Sequence, residues 1–496
     1  KGSVYANVTG YNSYIYGTSR IEAAENDILS GTSSQLFTTN LASLLTGRNP
    51  RGGSVTLTLN AAAQRAAYKA LVNRKGVGRP GAIVAIDPTT GAILADVSSP
   101  TFDPSVLSSH NSTEIQHAYK CYNGPLISQN PNESDKHFDA RWRTALAGYW
   151  KPHGNSPGCS DVPDDPTSYF EKYPGLPSPL FDRALQGTYP LGSVFKVIDS
   201  AAALKQNVNP DTKIFAPQYY WPLQPGKRSA CPRTDTGPCI HNFTLSNGYR
   251  EECDPGKNYA TMDYALEKSC NTAFAALAVQ KLGARAVASE AKLFGLDQPA
   301  FRTPLSTSGS SIGNLKELVN DPVALGQTAF GQRSVAVTPL QAAMISAAVA
   351  DHGTLYKPYL VKNERRPNLS VLSATEPQQL SQVIDPTLDD KLVDMMDNVV
   401  SGKEAGDSAT GHAAAITDLG DSVVVGGKTG TADHETANGK PLKSDSWFSG
   451  FAMVKSEPKI AVAVLLEDSG NTGGEDSAPA ARKVMEAYLK SIGVGS

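Results

Sequence analysis

The sequence predicts an α+β fold, a layer of antiparallel strands flanked by helices. Two observations carry this: helical patterns lie toward both ends of the chain, and its final third turns to a series of short apolar strands. A third is the early pair of apolar runs 82–86 and 92–97, joined through Asp87-Pro88-Thr89-Thr90-Gly91, whose Asp, Pro and Gly are turn formers, as in a hairpin. With 496 residues, 40% hydrophobic and 19% charged, the chain can bury a sizeable core and has room for one large domain and a smaller one. The formal charge of −3 supplies no basic field for nucleic acid, and no nucleic-acid motif is present. No apolar stretch approaches the roughly 18 residues of a membrane helix, and nothing at Lys1 resembles a signal peptide.

Residues 1–53 carry little periodicity and many Gly, Ser, Thr and Asn, which reads as the remnant of a small preceding domain with its linker; residues 54–496 form the second unit. The alternation Val55-Thr56-Leu57-Thr58-Leu59, then Asn60 and the Ala-rich 61–72, predicts a strand followed by an N-capped helix. Stretches near 100–180 and 206–260 are rich in Pro, Ser, Asn and Tyr or irregular, and are expected to be loop-bearing insertions. Helices are expected at 261–283, 284–294, 338–350 (with Pro339 in the first turn and Gly353 beyond the end) and 387–400. Strands are expected at 422–426, 428–432, 446–453 and 460–466. An amphipathic helix over 478–491 places Ala481, Val484, Met485, Tyr488 and Leu489 toward a core. Segment 433–445, charged and containing Asn438-Gly439, is expected to be a mobile flap.

The chemistry starts at Ser193-Val194-Phe195-Lys196, directly after the turn Tyr189-Pro190-Leu191-Gly192. Ser193 and Lys196 then share one face of a first helical turn, anchored by Val194, Val197, Ile198 and Ala201. A helix N-terminus favours a forming alkoxide. Alone, Ser-x-x-Lys is weak, because about two chance copies are expected at ordinary residue usage. Ser289–Lys292, in a helical stretch, and Ser456–Lys459, in a hairpin turn, are such copies. The first copy differs in being followed, in order, by Ser269-Cys270-Asn271 and then by Lys428-Thr429-Gly430-Thr431. Together they supply what serine acyl transfer needs. Ser193 is the candidate nucleophile and Lys196 the base, made neutral by burial or by a nearby cation such as Lys428. Ser269 would relay a proton toward the leaving nitrogen, and Asn271 would hold Lys196 and a substrate carbonyl. Thr429 and Thr431 would bind a substrate carboxylate, with Gly430 leaving space for substrate against the strand. The backbone N–H groups of Ser193 and Thr431 would form the oxyanion hole.

The ordered triple, with Gly426–Ala432, Asp445–Ala452, Gly331-Gln332 through Val337–Gln341, and Ala85–Ala95, resembles the transpeptidase domain of high-molecular-mass penicillin-binding proteins over roughly residues 54–496. Val4–Gly10 and the Ser-Cys-Asn form of the second motif look like the A-type class B members of actinobacteria. The resemblance implies the penicillin-binding serine transpeptidase fold. It implies a D,D-transpeptidase that takes acyl-D-Ala-D-Ala stem peptides of peptidoglycan, is acylated by β-lactams, and needs no cofactor. It also implies an N-terminal membrane anchor not present in this chain, placing it on the extracytoplasmic face of the cell membrane, and a membrane glycosyltransferase of the shape, elongation, division and sporulation family as partner. A serine β-lactamase or carboxypeptidase is the alternative, although no separate Glu motif for activating water is found. A non-enzymatic β-lactam sensor is another, although a sensor should lack the N-terminal segment and the insertions.

Six cysteines show no metal-type spacing and no adjacent His cluster, so structural zinc is not expected. Cys231 could join Cys239 or Cys253, and Cys121 could join Cys159, in an oxidising compartment. Cys270, inside the second motif, is expected to be a free thiol beside the nucleophile. Trp447 and Phe448 are expected in the core or a site wall.

Overall fold

The computed structural model describes residues 2–36, 51–72, 79–124, 178–223, 239–242, 251–433 and 443–495. Helix α1 (Ala61–Leu71) begins at Asn60, whose Oδ1 accepts from the N–H groups of Ala62 and Ala63 at 2.9 and 3.0 Å. The expected hairpin follows as β1 (Gly81–Ile86) and β2 (Ile93–Ser99). Next come α2 (Lys196–Lys205), α3 (Met262–Glu267), α4 (Asn271–Leu277), α5 (Pro339–Ala350) and α6 (Pro386–Ser401). Three long strands, β3 (Val423–Ala432), β4 (Asp445–Val454) and β5 (Glu457–Leu466), lead to α7 (Ser477–Ser491). The strands form one antiparallel sheet in the order β3-β4-β5-β1-β2.

Both faces of this sheet are buried, which explains why its strands read as continuous apolar runs rather than alternating ones. Ala82, Val84, Ile86, Ala461, Ala463 and Leu465 face one core cluster, while Ile83, Ala85, Ile460, Val462 and Val464 face the other. On the first face lies α5, every residue of which is buried; it is apolar all round because it is surrounded. On the second lie α1 and α7, with Ala481, Val484, Met485 and Leu489 turned inward and Tyr488 packed beside them.

Several expectations change in detail. The strand after residue 53, Ser54–Leu57, pairs with Val361–Arg365 in a separate three-stranded sheet. Within 100–180, residues Pro104–Leu107 and Ser112–Asn123 are helical, the latter capped by Asn111 Oδ1. Its Ile115, Ala118, Cys121 and Tyr122 are buried, but intervening Glu, Gln, His and Lys obscure that stripe in the sequence. The rest of that insertion, 125–177, lies outside the described residues, as do 224–238, 243–250 and the flap segment 434–442. The 206–260 region contributes two small strand pairs, Lys213–Phe215 with Tyr259–Thr261 and Tyr219–Tyr220 with Ile240–His241. Expected strands 422–426 and 428–432 are one strand, β3.

The predicted helix 261–283 is interrupted between α3 and α4, where Ser269 takes φ +61°. This turn brings Cys270 beside Cys253, and the two form a disulfide with a Cα–Cα distance of 5.5 Å. Cys270 is therefore no free thiol, and a Cys231–Cys253 pairing is excluded. Cys121 and Cys239 are also disulfide-bonded.

Residues 2–36 form short helices that dock on the larger unit. Asn7 Nδ2 donates to Ser98 O at 2.9 Å, Gln64 Nε2 to Val4 O at 2.7 Å, and Arg20 pairs with the fully buried Asp182 at 3.1 Å.

Candidate active site

The turn that presents Ser193 is held from several directions. Gly192, at φ +60°, donates its N–H to Gly331 O at 3.0 Å, and Trp447 Nε1 donates to Pro190 O at 3.0 Å. Tyr189 and Val337 exchange backbone hydrogen bonds at 3.0 and 2.8 Å. Trp447 and Phe448 are fully buried, as expected of core residues. From Gly192 to Phe195 the chain is a 3-10 turn that runs into α2, so Ser193 does sit at a helix start. Val194, Val197, Ile198 and Ala201 are all sealed in the core, which fixes the helix beneath the partly exposed serine.

Lys196 Nζ lies 2.8 Å from Ser193 Oγ, 2.6 Å from Ser269 O, 2.8 Å from Asn271 Oδ1 and 3.2 Å from Ser269 Oγ. Asn271 is held in turn, its Nδ2 donating to His241 O at 3.2 Å. Lys428 Nζ reaches Ser269 Oγ and Thr429 O, each at 2.9 Å. Ser269 Oγ thus bridges two lysines. Both ammonium groups are completely buried. Burial foremost, then the nearby Lys428 charge, holds Lys196 well below the ordinary lysine range, with Asp199 opposing. Burial lowers Lys428 to about 7. Asp199, one helical turn past Lys196, is itself pushed well above the ordinary carboxylate range by burial, with the Lys196 charge opposing.

β3 brings the third motif alongside. Its Thr429 Oγ1 donates to Thr410 Oγ1 at 2.7 Å, and Thr410 Oγ1 donates to Glu267 O at 3.1 Å. A Cβ added at Gly192 would stand 2.8 Å from Thr431 O, so the backbones carrying the two candidate oxyanion donors are adjacent. Gly430 packs against the nucleophile turn. A Cβ there would meet Trp447 Cβ at 2.9 Å, Leu191 O at 3.0 Å and Val194 Cγ2 at 3.2 Å. The glycine makes room for the nucleophile turn to pack on the sheet. Gly331 and Gly473 serve the same close packing, since a Cβ on either would fall 2.0 Å from a backbone oxygen, of Gly192 and Trp447 respectively.

All the predicted residues, Ser193, Lys196, Ser269, Asn271 and Lys428 to Thr431, therefore meet in one place. Thr410, Glu267 and Asp199 escaped the sequence reading; isolated Thr, Glu and Asp residues carry no local signal. A hydroxyl against an amine whose burial disfavours its charged form, flanked by a second lysine, can attack an acyl carbon and pass its proton on.

Comparison with known proteins follows the same line. Residues 81–486 match the model of the penicillin-binding protein transpeptidase domain, and residues 1–55 that of the penicillin-binding protein A dimerisation domain. Peptidoglycan D,D-transpeptidase PbpA of Mycolicibacterium smegmatis is 34% identical over 490 residues, covering 98% of this chain and 82% of that protein. PbpA of Mycobacterium tuberculosis is 35% identical over 493 residues, covering 98% and 83%. The solved ceftriaxone acyl-enzyme complex of M. tuberculosis penicillin-binding protein A superposes with a TM-score of 0.76 at 33% identity, over 99% of this chain and 92% of that one.

Proposed function

The chain belongs to the penicillin-binding protein transpeptidase family, and on that premise we propose that it is a peptidoglycan D,D-transpeptidase acylated by β-lactams. The observation that carries the reading is the 2.8 Å contact between Lys196 Nζ and Ser193 Oγ inside a buried, two-lysine site.

Ser193 Oγ attacks the carbonyl carbon between the two terminal D-Ala residues of a stem peptide, and its proton passes to Lys196 Nζ. The developing oxyanion is met by the N–H groups of Ser193 and Thr431. Ser269, between the lysines, delivers a proton to the departing D-Ala amine, and the acyl group remains as an ester on Ser193. Asn271 fixes Lys196 and faces a substrate carbonyl. Lys428, Thr429 and Thr431 bind the terminal carboxylate, and Gly430 lets their strand lie close to the nucleophile. An amine of a neighbouring stem then attacks the ester, with the proton transfers reversed, and the cross-link forms. A β-lactam offers the same acyl carbon but keeps its leaving amine tethered.

Residues 1–53 are read as an N-terminal domain with its linker and 54–496 as the catalytic unit. The disulfide Cys253–Cys270 supports an extracytoplasmic site of action, where such bonds persist. Among the described residues no helix is long and apolar enough to cross a membrane. Anchoring at the outer face of the cell membrane, and partnership with a membrane glycosyltransferase of the shape, elongation, division and sporulation family, are supported by the family resemblance.

Intact-mass spectrometry with a labelled penicillin tests the function. A single adduct that persists, and is lost in Ser193→Ala, is expected. Rapid loss of the adduct with turnover of free drug would assign a hydrolase, and labelling that survives Ser193→Ala would remove Ser193 from its role.

A further inference from the structure

Behind the third motif, three carboxylates converge. Asp263 and Glu267 lie on one face of α3, four residues apart, and Glu404 comes from the loop after α6. Each offers an oxygen, and these oxygens lie within 4.8 Å of one another. Asp263 is only 6% exposed, and while its Oδ2 accepts from Asn398 Nδ2 at 2.7 Å, its Oδ1 is sealed from solvent without a hydrogen-bond partner. Glu267 is clamped by the N–H of Glu404 at 3.1 Å and of Ala405 at 2.8 Å. Glu404 Oε2 accepts from Thr261 Oγ1 at 2.8 Å.

We propose that Asp263, Glu267 and Glu404 form a divalent-cation site that takes Ca²⁺ in preference to Mg²⁺. An orphaned, buried carboxylate oxygen beside two further carboxylates is costly unless a cation or a proton neutralises it, and three convergent carboxylates are a cation's donor set. All-oxygen donors select a hard cation. Mg²⁺ demands near-ideal octahedral geometry and is usually held by one or two carboxylates together with its waters, whereas Ca²⁺ accepts a looser cage of several carboxylates, as converge here. Burial foremost, opposed by the Asn398 hydrogen bond and Lys403 and reinforced by Glu267 and Glu404, raises Asp263 to about 7. His412 is the other nearby base, acting on Glu267.

The placement links such an ion to the active site. Glu267 O accepts both the N–H and the hydroxyl of Thr410, which in turn accepts from Thr429, and Ser269 follows two residues after Glu267. A bound ion would tie the segment bearing Ser269 to the loop after α6. Ion binding does not depend on the acyl-transfer reading, so its test can fail independently.

Thermal unfolding of the full chain, stripped with a chelator, is measured near neutral pH against CaCl₂ and MgCl₂ up to about 5 mM, the range of weak extracellular Ca²⁺ sites. A rise in Tm of roughly 2–5 °C with Ca²⁺, and a smaller one with Mg²⁺, is expected. Asp263→Asn, and separately the exposed Glu404→Gln, should abolish the Ca²⁺ response; the second variant remains informative if the first fails to fold. A wild-type Tm indifferent to Ca²⁺ but falling as pH rises through the Asp263 transition would assign protons alone and overturn the proposal. A response unchanged in Glu404→Gln would overturn it too.

Discussion

Ser269 O and Asn271 Oδ1 can only accept hydrogen bonds, and at 2.6 and 2.8 Å they take both N–H bonds of a neutral Lys196 amine. The lone pair is then left for the Ser193 hydroxyl, which is the arrangement a base needs. Acylation should follow the free amine: its rate rises with pH through the lowered Lys196 pKa, and the acid limb lies well below the ordinary lysine range. Lys428→Gln removes one of the two causes of that lowering. The limb should therefore move to higher pH, with roughly tenfold slower acylation on the limb for each unit of displacement. A pH profile of the acylation rate, measured by stopped-flow fluorescence, checks this; an unmoved limb would mean that burial alone sets the Lys196 pKa.

At the scale of elements, the break between α3 and α4 matters more than either helix. A continuous helix over 261–283 would carry Ser269 and Asn271 along a regular spiral. The left-handed Ser269 instead turns its carbonyl and the Asn271 amide onto Lys196 Nζ, and Cys270 between them is tied to Cys253 across 17 residues. Cys270→Ser should lower stability by about 3 kcal/mol, as expected for opening a loop of this length. It should also slow acylation by loosening two of the Lys196 acceptors. Denaturant unfolding and the acylation rate report the two effects separately; an unchanged rate would show that the turn holds without its disulfide. β3 gives the complementary lesson. Its pattern marks Lys428 to Thr431 as a strand, but why position 430 is glycine depends on Leu191 and Val194, distant in sequence and visible only once the nucleophile turn packs on the sheet.

For the whole molecule, the N-terminal segment is part of the packed structure. Arg20 reaches across 162 residues to Asp182, whose Oδ1 accepts from the N–H groups of Ala184 and Leu185 in the segment leading to the nucleophile turn. Asp182 and the nearby Asp96 are fully buried, and burial raises both. Arg20→Ala should cost about 3–5 kcal/mol by breaking the buried ion pair with Asp182, leaving only the more distant Arg183 charge. Asp182 then titrates still higher. Its proton neutralises it at low pH, so the deficit should grow as pH rises. Thermal unfolding across pH checks this, and a loss that is small and independent of pH would show that Asp182 is satisfied without Arg20.

The sequence by itself determined the α+β class, the order of the main helices and strands, and the residue types of the acyl-transfer site. Those follow from local signals: Asn60 before an alanine run, Pro339 at a helix start, apolar strand runs, and a serine and lysine three apart after a glycine turn. Only the tertiary structure decided how burial lowers both lysines, which cysteine pairs with Cys270, that Thr410 and Glu267 support the third motif, and what Gly430 packs against. Burial, charge and hydrogen-bond geometry are sums over neighbours brought together from far along the chain, and a local pattern does not contain them.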